Sequence, residues 1–234
     1  MGEHTVTSFD DDLRHIDGLI RDMGELGAAM VGGAIRALIA SDTALAQKLI
    51  SDDAIMDGKQ RELDDRAITL IAKRQPMAQD LRAVVSAIRM AADIERIGDL
   101  AKNIAKRVGA VGASSAPRGL SHSIEAMADL VLHQVEAVVA RYVARDAEGL
   151  LALRADDEKI DIQYTSTFRE LLTYMMEDPR NITACTHLLF CAKNLERIGD
   201  HVTNIAEKAY YAMTGMQPPQ HRPKLDETSL TPAQ

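Results

Sequence analysis

A twelve-residue segment occurs twice in this chain, and this repeat constrains the fold more than any other feature. The first copy is IERIGDLAKNIA at residues 94–105, and the second is LERIGDHVTNIA at residues 195–206. The second copy begins 101 residues after the first, so the 234 residues contain two related halves. Each half is long enough to bury a hydrophobic core of its own. The repeat therefore predicts two units of the same architecture.

Apolar residues around both copies recur at steps of three and four, which predicts helices that pack through one face. The composition agrees with helices, because aromatic residues make up only 3% of the chain and Trp is absent. We therefore predict an all-α protein with six helices, three in each half. The predicted packing seam consists of Met90, Ile94, Ile97, Ala101, Ile104 and Val108 in the first half and Cys191, Leu195, Ile198, Val202, Ile205 and Ala209 in the second.

Helix-breaking residues divide the chain into its predicted parts. Pro76 and Pro179 precede the third helix of each half, because proline is tolerated in the first turn of a helix but not in its interior. Four of the seven prolines follow residue 214, and the segment around residues 109–119 has no apolar period. We predict a first three-helix bundle at residues 8–110, a linker at 111–119, a second three-helix bundle at 120–214 and a disordered tail at 215–234.

Each half also carries two pairs of acidic residues, and the members of each pair are four residues apart. On a helix this spacing places both carboxylates on one face. At about 100° per residue, the acidic face of the repeat helix points away from its apolar seam, so we predict carboxylates at the rim of each bundle. The candidate metal ligands are Asp53, Asp57, Glu95 and Asp99 in the first half and Asp157, Asp161, Glu196 and Asp200 in the second.

The proline turns make the two acid-bearing helices of each half antiparallel neighbours, so four carboxylates can converge. Like charges in such a cluster repel one another, and a multivalent cation removes the repulsion. Carboxylate oxygens suit Mg, Mn, Ca or Fe, whereas zinc sites usually recruit His or Cys. The alternative is a structural helical scaffold whose acidic faces are simply solvated, with surface ion pairs to Arg96 or Arg197.

Two further features lie inside the repeated segments. Gly98 and Gly199 hold matched positions within predicted helices, where glycine costs about 1 kcal/mol against alanine. Their presence indicates a close approach to the backbone by another helix, a partner or a hydrated cation, and we favour helix packing. His201 follows Asp200, but its counterpart is Leu100, so we predict a solvated histidine there.

Charge and hydropathy exclude several classes of protein. The net charge of −8 argues against nucleic-acid binding, which needs clustered Lys and Arg. No uninterrupted apolar run approaches the roughly 18 residues of a membrane span, and the acidic start MGEHTVTSFDDD is unlike a signal peptide. We therefore expect a cytoplasmic protein with no direct membrane span. Cys185 and Cys191 are expected to be small core residues.

The sequence lacks the familiar catalytic motifs. It contains no glycine-rich phosphate loop, no GxGxxG, no HExxH and no GxSxG, and no nucleophile lies beside a base. We therefore predict that the protein is not an enzyme and that it has no catalytic residues. A metallohydrolase that uses the same carboxylates is the remaining enzymatic alternative, and the lack of His or Lys near the acids disfavours it.

Three segments closely resemble the PhoU family of phosphate-specific transport system accessory proteins. They are NLERIGDHVTNIAE at 194–207, DIERIGDLAKNIAK at 93–106 and RQPMAQDLR at 74–82, and the likeness covers about residues 8–214. The resemblance implies two similar three-helix bundles whose acidic motifs hold metal ion clusters, with iron or zinc, at the bundle surface. It assigns the eight carboxylates named above as ligands. Mn or Mg would also suit their oxygens.

The resemblance further implies a regulator and not a catalyst. Such a protein would negatively control phosphate uptake and phosphate-starvation signalling by linking a phosphate ABC transporter to a membrane sensor histidine kinase. Its expected partners are that kinase and the ATPase of the transporter. The sequence leaves the oligomeric state open, a homodimer included.

Overall fold

The computed structural model describes residues 2–112 and 119–218, and all regular structure within those ranges is helical. Six helices are long, which confirms the predicted all-α fold, and a five-residue helix, α4, is additional. The helices are α1 (Gly2–Ala40), α2 (Thr43–Arg74), α3 (Gln79–Ala105), α4 (Val108–Gly112), α5 (Gly119–Val143), α6 (Ala147–Glu177) and α7 (Ile182–Thr214), and a 3-10 turn at Pro179–Asn181 precedes α7.

The predicted linker and tail fall largely outside the described residues. Of the linker at 111–119, residues 111 and 112 belong to α4 and residue 119 begins α5, while 113–118 lie outside the description. Of the tail at 215–234, Gly215 ends α7 with a positive φ of 73°, and residues from 219 onward lie outside the description. Both assignments, and the bundle boundaries with them, stay predictions.

Matching side-chain caps start the second helix of each half. The carboxylate of Asp42 accepts a hydrogen bond from the backbone N–H of Leu45 at 2.9 Å, at the start of α2. Asp146 accepts one from the N–H of Gly149 at the same distance, at the start of α6. Each cap satisfies a backbone donor that has no partner within the helix. The two halves therefore begin their acid-bearing hairpins in the same way.

Helices α1 to α3 form one bundle and α5 to α7 form the other, and the two bundles share a continuous apolar core. The bundles meet mainly through α3 and α7, with a second contact between α1 and α5. Helices α3 and α7 run antiparallel, since Asp93 contacts Lys208 whereas Arg107 contacts His187. All twelve predicted seam residues are buried. The same seam therefore packs each bundle and joins it to the other.

Glycine at position 24 permits close packing of α1 against α5. A Cβ at Gly24 would overlap Cγ2 of Val139 and lie 3.4 Å from its Cβ, whereas a Cβ at Gly18 meets nothing within 4 Å. We expect Gly24→Ala to lower the free energy of unfolding by about 1 to 2 kcal/mol. Gly18→Ala is expected to raise it by up to about 1 kcal/mol through helix propensity. Urea denaturation distinguishes the two, and equal effects would contradict close packing at Gly24.

Helix α1 is more apolar than the sequence patterns indicated. From Asp11 to Ala40 it is long and apolar enough to meet a length-and-composition test for a membrane span, contrary to the expectation that no stretch approaches one. More than half of its apolar window is buried inside the protein. Ile20, Met23 and Val31, for example, are all buried in the core. A core helix passes the same test, and the packing of α1 accounts for its apolar character.

Both cysteines are buried free thiols in α7, in agreement with their prediction as core residues. Burial raises the pKa of the Cys185 thiol and raises that of Cys191 to about 12. Thiolates are the reactive and metal-binding form of cysteine, so these shifts suppress both roles at neutral pH.

Candidate metal centre

The predicted carboxylates of the first half lie between α2 and α3, around a lysine. The Nζ of Lys102 donates hydrogen bonds to Oδ2 of Asp53 at 2.5 Å and to Oδ1 of Asp99 at 2.6 Å. Arg96 donates to Oδ2 of Asp99 at 2.9 Å from the exposed side. The structure thus brings Asp53 of α2 and Asp99 of α3 together around a side-chain ammonium. We call Asp53, Asp57, Glu95, Asp99 and Lys102 the first acidic cluster.

In the first acidic cluster, burial and neighbouring charges raise the pKa of one carboxyl group, Glu95, and leave that of another, Asp99, lowered. Burial raises the pKa of Glu95, and the charges of Asp99 and Asp57 raise it further. Burial is the strongest single influence and would raise the pKa of Asp99, but the hydrogen bond and charge of Lys102, the charge of Arg96 and a hydrogen bond with Glu95 together lower it. Burial disfavours the charged form of Lys102, yet its bonds to Asp53 and Asp99 raise its pKa overall. Lys102 therefore remains an ammonium ion that compensates part of the cluster.

The corresponding carboxylates of the second half, which we call the second acidic cluster, are buried more deeply. Asp157 and Asp161 of α6 are 4% and 6% exposed, and Glu196 of α7 is 6% exposed, while Asp200 is half-buried. The prediction of rim positions is wrong for the three buried residues. Helix α6 lies across the acidic face of α7, with Ile160 packed against Gly199.

Glu196 of the second acidic cluster has one carboxylate oxygen in an ion pair and one that is buried without a hydrogen-bond partner. Its Oε1 forms an ion pair with Nζ of Lys193 at 2.9 Å, but its buried Oε2 has no hydrogen-bond partner. Burial raises the pKa of Glu196, and the charges of Asp200 and Asp161 act in the same direction against Lys193. A buried acceptor without a partner costs about 1 to 3 kcal/mol. A cation at this position would remove that cost.

The paired glycines permit the close helix contact that brings these acids together. A Cβ at Gly98 would lie 3.3 Å from Cγ of Met56 on α2. A Cβ at Gly199 would lie 2.9 Å from Cδ1 of Ile160 and 3.3 Å from Oδ1 of Asp157, both on α6. Of the three explanations offered for these glycines, helix packing is therefore confirmed. At Gly199 the missing side chain also makes room for a candidate ligand.

Sequence patterns did not reveal the two lysines that pair with the acidic clusters. The premise that no Lys lies near the acids, which we used against a metallohydrolase, is therefore wrong. Arg96 pairs with Asp99, as the alternative interpretation expected, but Lys102 makes the more central contacts. Lys102 follows Asp99 by three residues and Lys193 precedes Glu196 by three, so both lie on the acidic face of their helix. This three-residue spacing from the acids could have predicted both lysine contacts from the sequence.

The prediction of a solvated histidine at His201 is wrong. Its Nδ1 is 3.0 Å from Oδ1 of Asp93 on α3, across the contact between the two bundles. Lys208 donates to the other oxygen of the same carboxylate. Burial is the strongest single influence and would raise the pKa of Asp93, but the hydrogen bonds and charges of His201 and Lys208 together lower it. His201 and Lys208 therefore contact the same carboxylate, and these contacts join α7 to α3.

Each acidic cluster has a feature that bears on metal binding. Within the described part of the chain, no group of three or more acidic, His or Cys side chains is already arranged to hold one. The second cluster nevertheless fits a cation, because Oε2 of Glu196 is buried without a partner among acidic neighbours. In the first cluster Lys102 occupies the space between Asp53 and Asp99. The eight ligands and the metal itself stay predictions.

Comparison with known proteins supports the sequence resemblance. A family model described as the PhoU domain matches residues 20–108 and 124–209, one match in each half. A relative from Rhizobium meliloti, named a phosphate-specific transport system accessory protein PhoU homolog, is 57% identical over 97% of this chain and 95% of its own length.

Two crystal structures share the fold as well. PhoU from Pseudomonas aeruginosa superposes with a TM-score of 0.85 at 34% identity, covering 89% of this chain and all of that chain. A phosphate transport system regulatory protein PhoU from Streptococcus pneumoniae gives 0.82 at 27% identity, covering 89% of this chain and 98% of that one. The duplicated motif, the paired bundles and these matches agree, and the chain belongs to the PhoU family.

Proposed function

We propose that this protein is an accessory regulator of phosphate transport that acts by binding partners and not by catalysis. The names of its relatives support this role, since the Rhizobium meliloti protein is called a transport system accessory protein and the Streptococcus pneumoniae protein a regulatory one. The high identity to the first of these, over nearly its full length, supports the transfer of the role to this chain.

In this proposal the protein works in the cytoplasm and negatively controls phosphate uptake and phosphate-starvation signalling. It links the ATPase of a phosphate ABC transporter to a sensor histidine kinase, and it responds through metal ions held by the acidic clusters. Iron or zinc is implied by the family resemblance, and carboxylate oxygens suit Fe, Mn or Mg better than zinc.

Glu196 is the residue whose surroundings carry the metal-binding part of the proposal. Its buried Oε2 has no partner, while Asp157 and Asp161 lie buried on the facing helix α6. A bound cation would pair with the buried Oε2 of Glu196, and the carboxylates of α6 and α7 would hold it between them. The ion would thereby fix the position of α6 against α7, which gives partners a defined surface.

The docking test compares two variants with the same change in net charge. The four-Ala variant replaces four candidate ligands with alanine: Glu95, Asp99, Glu196 and Asp200. The control variant replaces four exposed acidic residues outside the clusters: Asp65, Asp129, Glu136 and Glu148. We expect the four-Ala variant to bind the cytoplasmic part of the sensor kinase at least about tenfold more weakly than wild type, a loss of about 1.4 kcal/mol.

The control variant is expected to keep the wild-type affinity for the kinase, because the four carboxylates that it removes are solvent-exposed and lie outside both acidic clusters. Affinity is measured by titration of the purified kinase domain, and the transporter ATPase is tested in the same way. Unaltered binding by the four-Ala variant, or an equal loss in both variants, would contradict a role for the acidic clusters in docking.

A further inference from the structure

The internal repeat gives the contact between α3 and α7 two matched positions for a basic side chain, and the two positions differ in their surroundings. Lys208 of α7 donates to Oδ2 of Asp93 on α3. In the repeat, Lys208 aligns with Arg107, and Asp93 aligns with Asn194. The second position therefore keeps its positive charge, but a neutral amide stands where the matching carboxylate would be.

Arg107 lies in the turn between α3 and α4, and its printed side-chain contacts are with two residues of α7. Its Nη1 donates to Nδ1 of His187 at 3.1 Å, and its guanidinium carbon lies 4.2 Å from the centroid of the Phe190 ring. Because arginine has no acceptor atom, His187 accepts this bond as a neutral ring and adds no negative charge. The Nε of Arg107 is buried without a hydrogen-bond partner. Within the described residues, no carboxylate forms an ion pair with Arg107.

Phe190 is 51% exposed although its ring is large and apolar. Asn194 follows it by one helical turn, so both side chains lie on the same face of α7. An exposed aromatic ring beside an arginine is a combination that often dominates the binding energy of protein interfaces. The guanidinium can bind a carboxylate through two parallel hydrogen bonds. We call Arg107, His187, Phe190 and Asn194 the Arg107 surface.

The rest of this chain is a poor source of the missing carboxylate. The acidic residues whose side chains lie outside the description are Glu3, Asp10, Asp226 and Glu227. The first two belong to the start of α1, whereas α4, which follows Arg107, lies beside Ser41 just after the end of α1. Helix α7 carries the chain about 36 Å from Phe190 to Thr214. The twelve residues from there to Asp226 span at most about 43 Å, so the tail would return only if almost fully extended.

We propose that the Arg107 surface docks a partner protein through a segment in which an acidic side chain lies beside an apolar one. The carboxylate pairs with the guanidinium of Arg107, and the apolar side chain covers the ring of Phe190. This inference rests on the proposed function, because it gives the regulator a contact with its partner, and it uses none of the candidate metal ligands. The matched position in the first half does not offer the same contact, since Asp93 already holds Lys208.

Titration of the full-length protein with the purified cytoplasmic part of the sensor kinase, and separately with the transporter ATPase, tests the proposal. Arg107→Gln removes the charge and Phe190→Ala removes the ring, and we expect both to weaken binding of the same partner at least about tenfold. Asn194→Asp supplies a carboxylate within the surface. It should pair with Arg107, as Asp93 pairs with Lys208, and so weaken binding of that partner at least about tenfold.

Arg89→Gln is the matched control. Arg89 aligns with Phe190 in the repeat, is exposed on α3 and carries the same charge as Arg107, so this variant should keep the wild-type affinity. Salt gives a second measurement, because added NaCl should weaken partner binding more steeply in wild type than in Arg107→Gln. Circular dichroism shows whether each variant folds, and Asn194→Asp decides the question if Phe190→Ala does not.

The outcomes separate this inference from the proposed function. If wild type binds a partner and both Arg107→Gln and Asn194→Asp bind it equally well, the inference is overturned while the proposed function stands. A wild-type protein that binds neither partner would overturn both. A wild-type dimer that Arg107→Gln converts to a monomer, or binding of inorganic phosphate that Arg107→Gln abolishes, would overturn the inference if partner binding is unchanged. The occupant would then be a second copy or a free anion.

Discussion

Replacing Asp93 by alanine is expected to lower the free energy of unfolding by about 2 to 4 kcal/mol. Asp93 lies on α3, is 8% exposed, and bonds to both His201 and Lys208 on α7. Without the carboxylate, the half-buried ammonium of Lys208 and the ring of His201 lose their shared acceptor. Removing one member of a buried ion pair is more costly than the pair is stabilising, because the remaining polar groups stay desolvated.

Asp11→Ala is the matched control for Asp93→Ala. Asp11 pairs with Arg14 on the exposed face of α1, and both side chains are mostly in solvent. Such a pair contributes little, so the free energy of unfolding should change by no more than about 0.5 kcal/mol. Urea denaturation followed by the helical circular dichroism signal measures both. An effect of Asp93→Ala as small as that of the control would show that this ion pair does not hold the bundles together.

The helices and their seams could be predicted from the sequence because their causes are local. Asp42 and Asp146 cap helices through N–H groups three residues away, and Pro179 begins the turn before α7. The seam depends on a spacing of three and four residues along one helix. The matched positions of Gly98 and Gly199 also predicted a close contact between helices, which the structure confirms.

The contact between the bundles could not be predicted from the same patterns. The repeat indicates two similar units, but no period within either unit describes how α3 packs against α7. The hydrogen bond between Asp93 and His201 lies where the repeat has diverged, since their counterparts are Asn194 and Leu100. In the sequence, this contact corresponds to polar residues that differ between the two copies and lie beside the apolar seam that both copies share.

The burial of the acidic residues in the second half could not be predicted from the sequence, for a related reason. The angle between the acidic face and the apolar seam is a property of one helix, and it correctly separated Glu196 from Leu195 and Ile198. Burial depends also on the neighbouring helix, and α6 covers the acidic face of α7 at Gly199. The acids of the first half, by contrast, are all half-buried, closer to the predicted rim.

The largest functional effect is expected from the four-Ala variant, in which alanine replaces Glu95, Asp99, Glu196 and Asp200. It removes the α3 and α7 carboxylates from both clusters, so the remaining aspartates of α2 and α6 would face the ion alone. Each lost carboxylate takes away an oxygen ligand and a negative charge. We expect the variant to retain less than about a tenth of the metal that wild type holds at the same free concentration.

The control variant from the docking test, altered at four exposed acids, serves here as well. It carries the same change in net charge, so any general attraction of cations to the surface falls equally in both variants. Circular dichroism confirms that each variant folds. Equal metal loss in the two variants would mean that net charge, and not the acidic clusters, attracts the ion.

We propose that a bound metal ion holds together carboxylates on neighbouring helices, with Glu196 as a principal ligand. The decisive experiment is elemental analysis of the purified full-length chain, dialysed after exposure to iron or manganese. We expect bound metal in wild type and in the charge-matched control, and its loss in the four-Ala variant. Wild type without metal, or a four-Ala variant that retains as much metal as wild type, would contradict it.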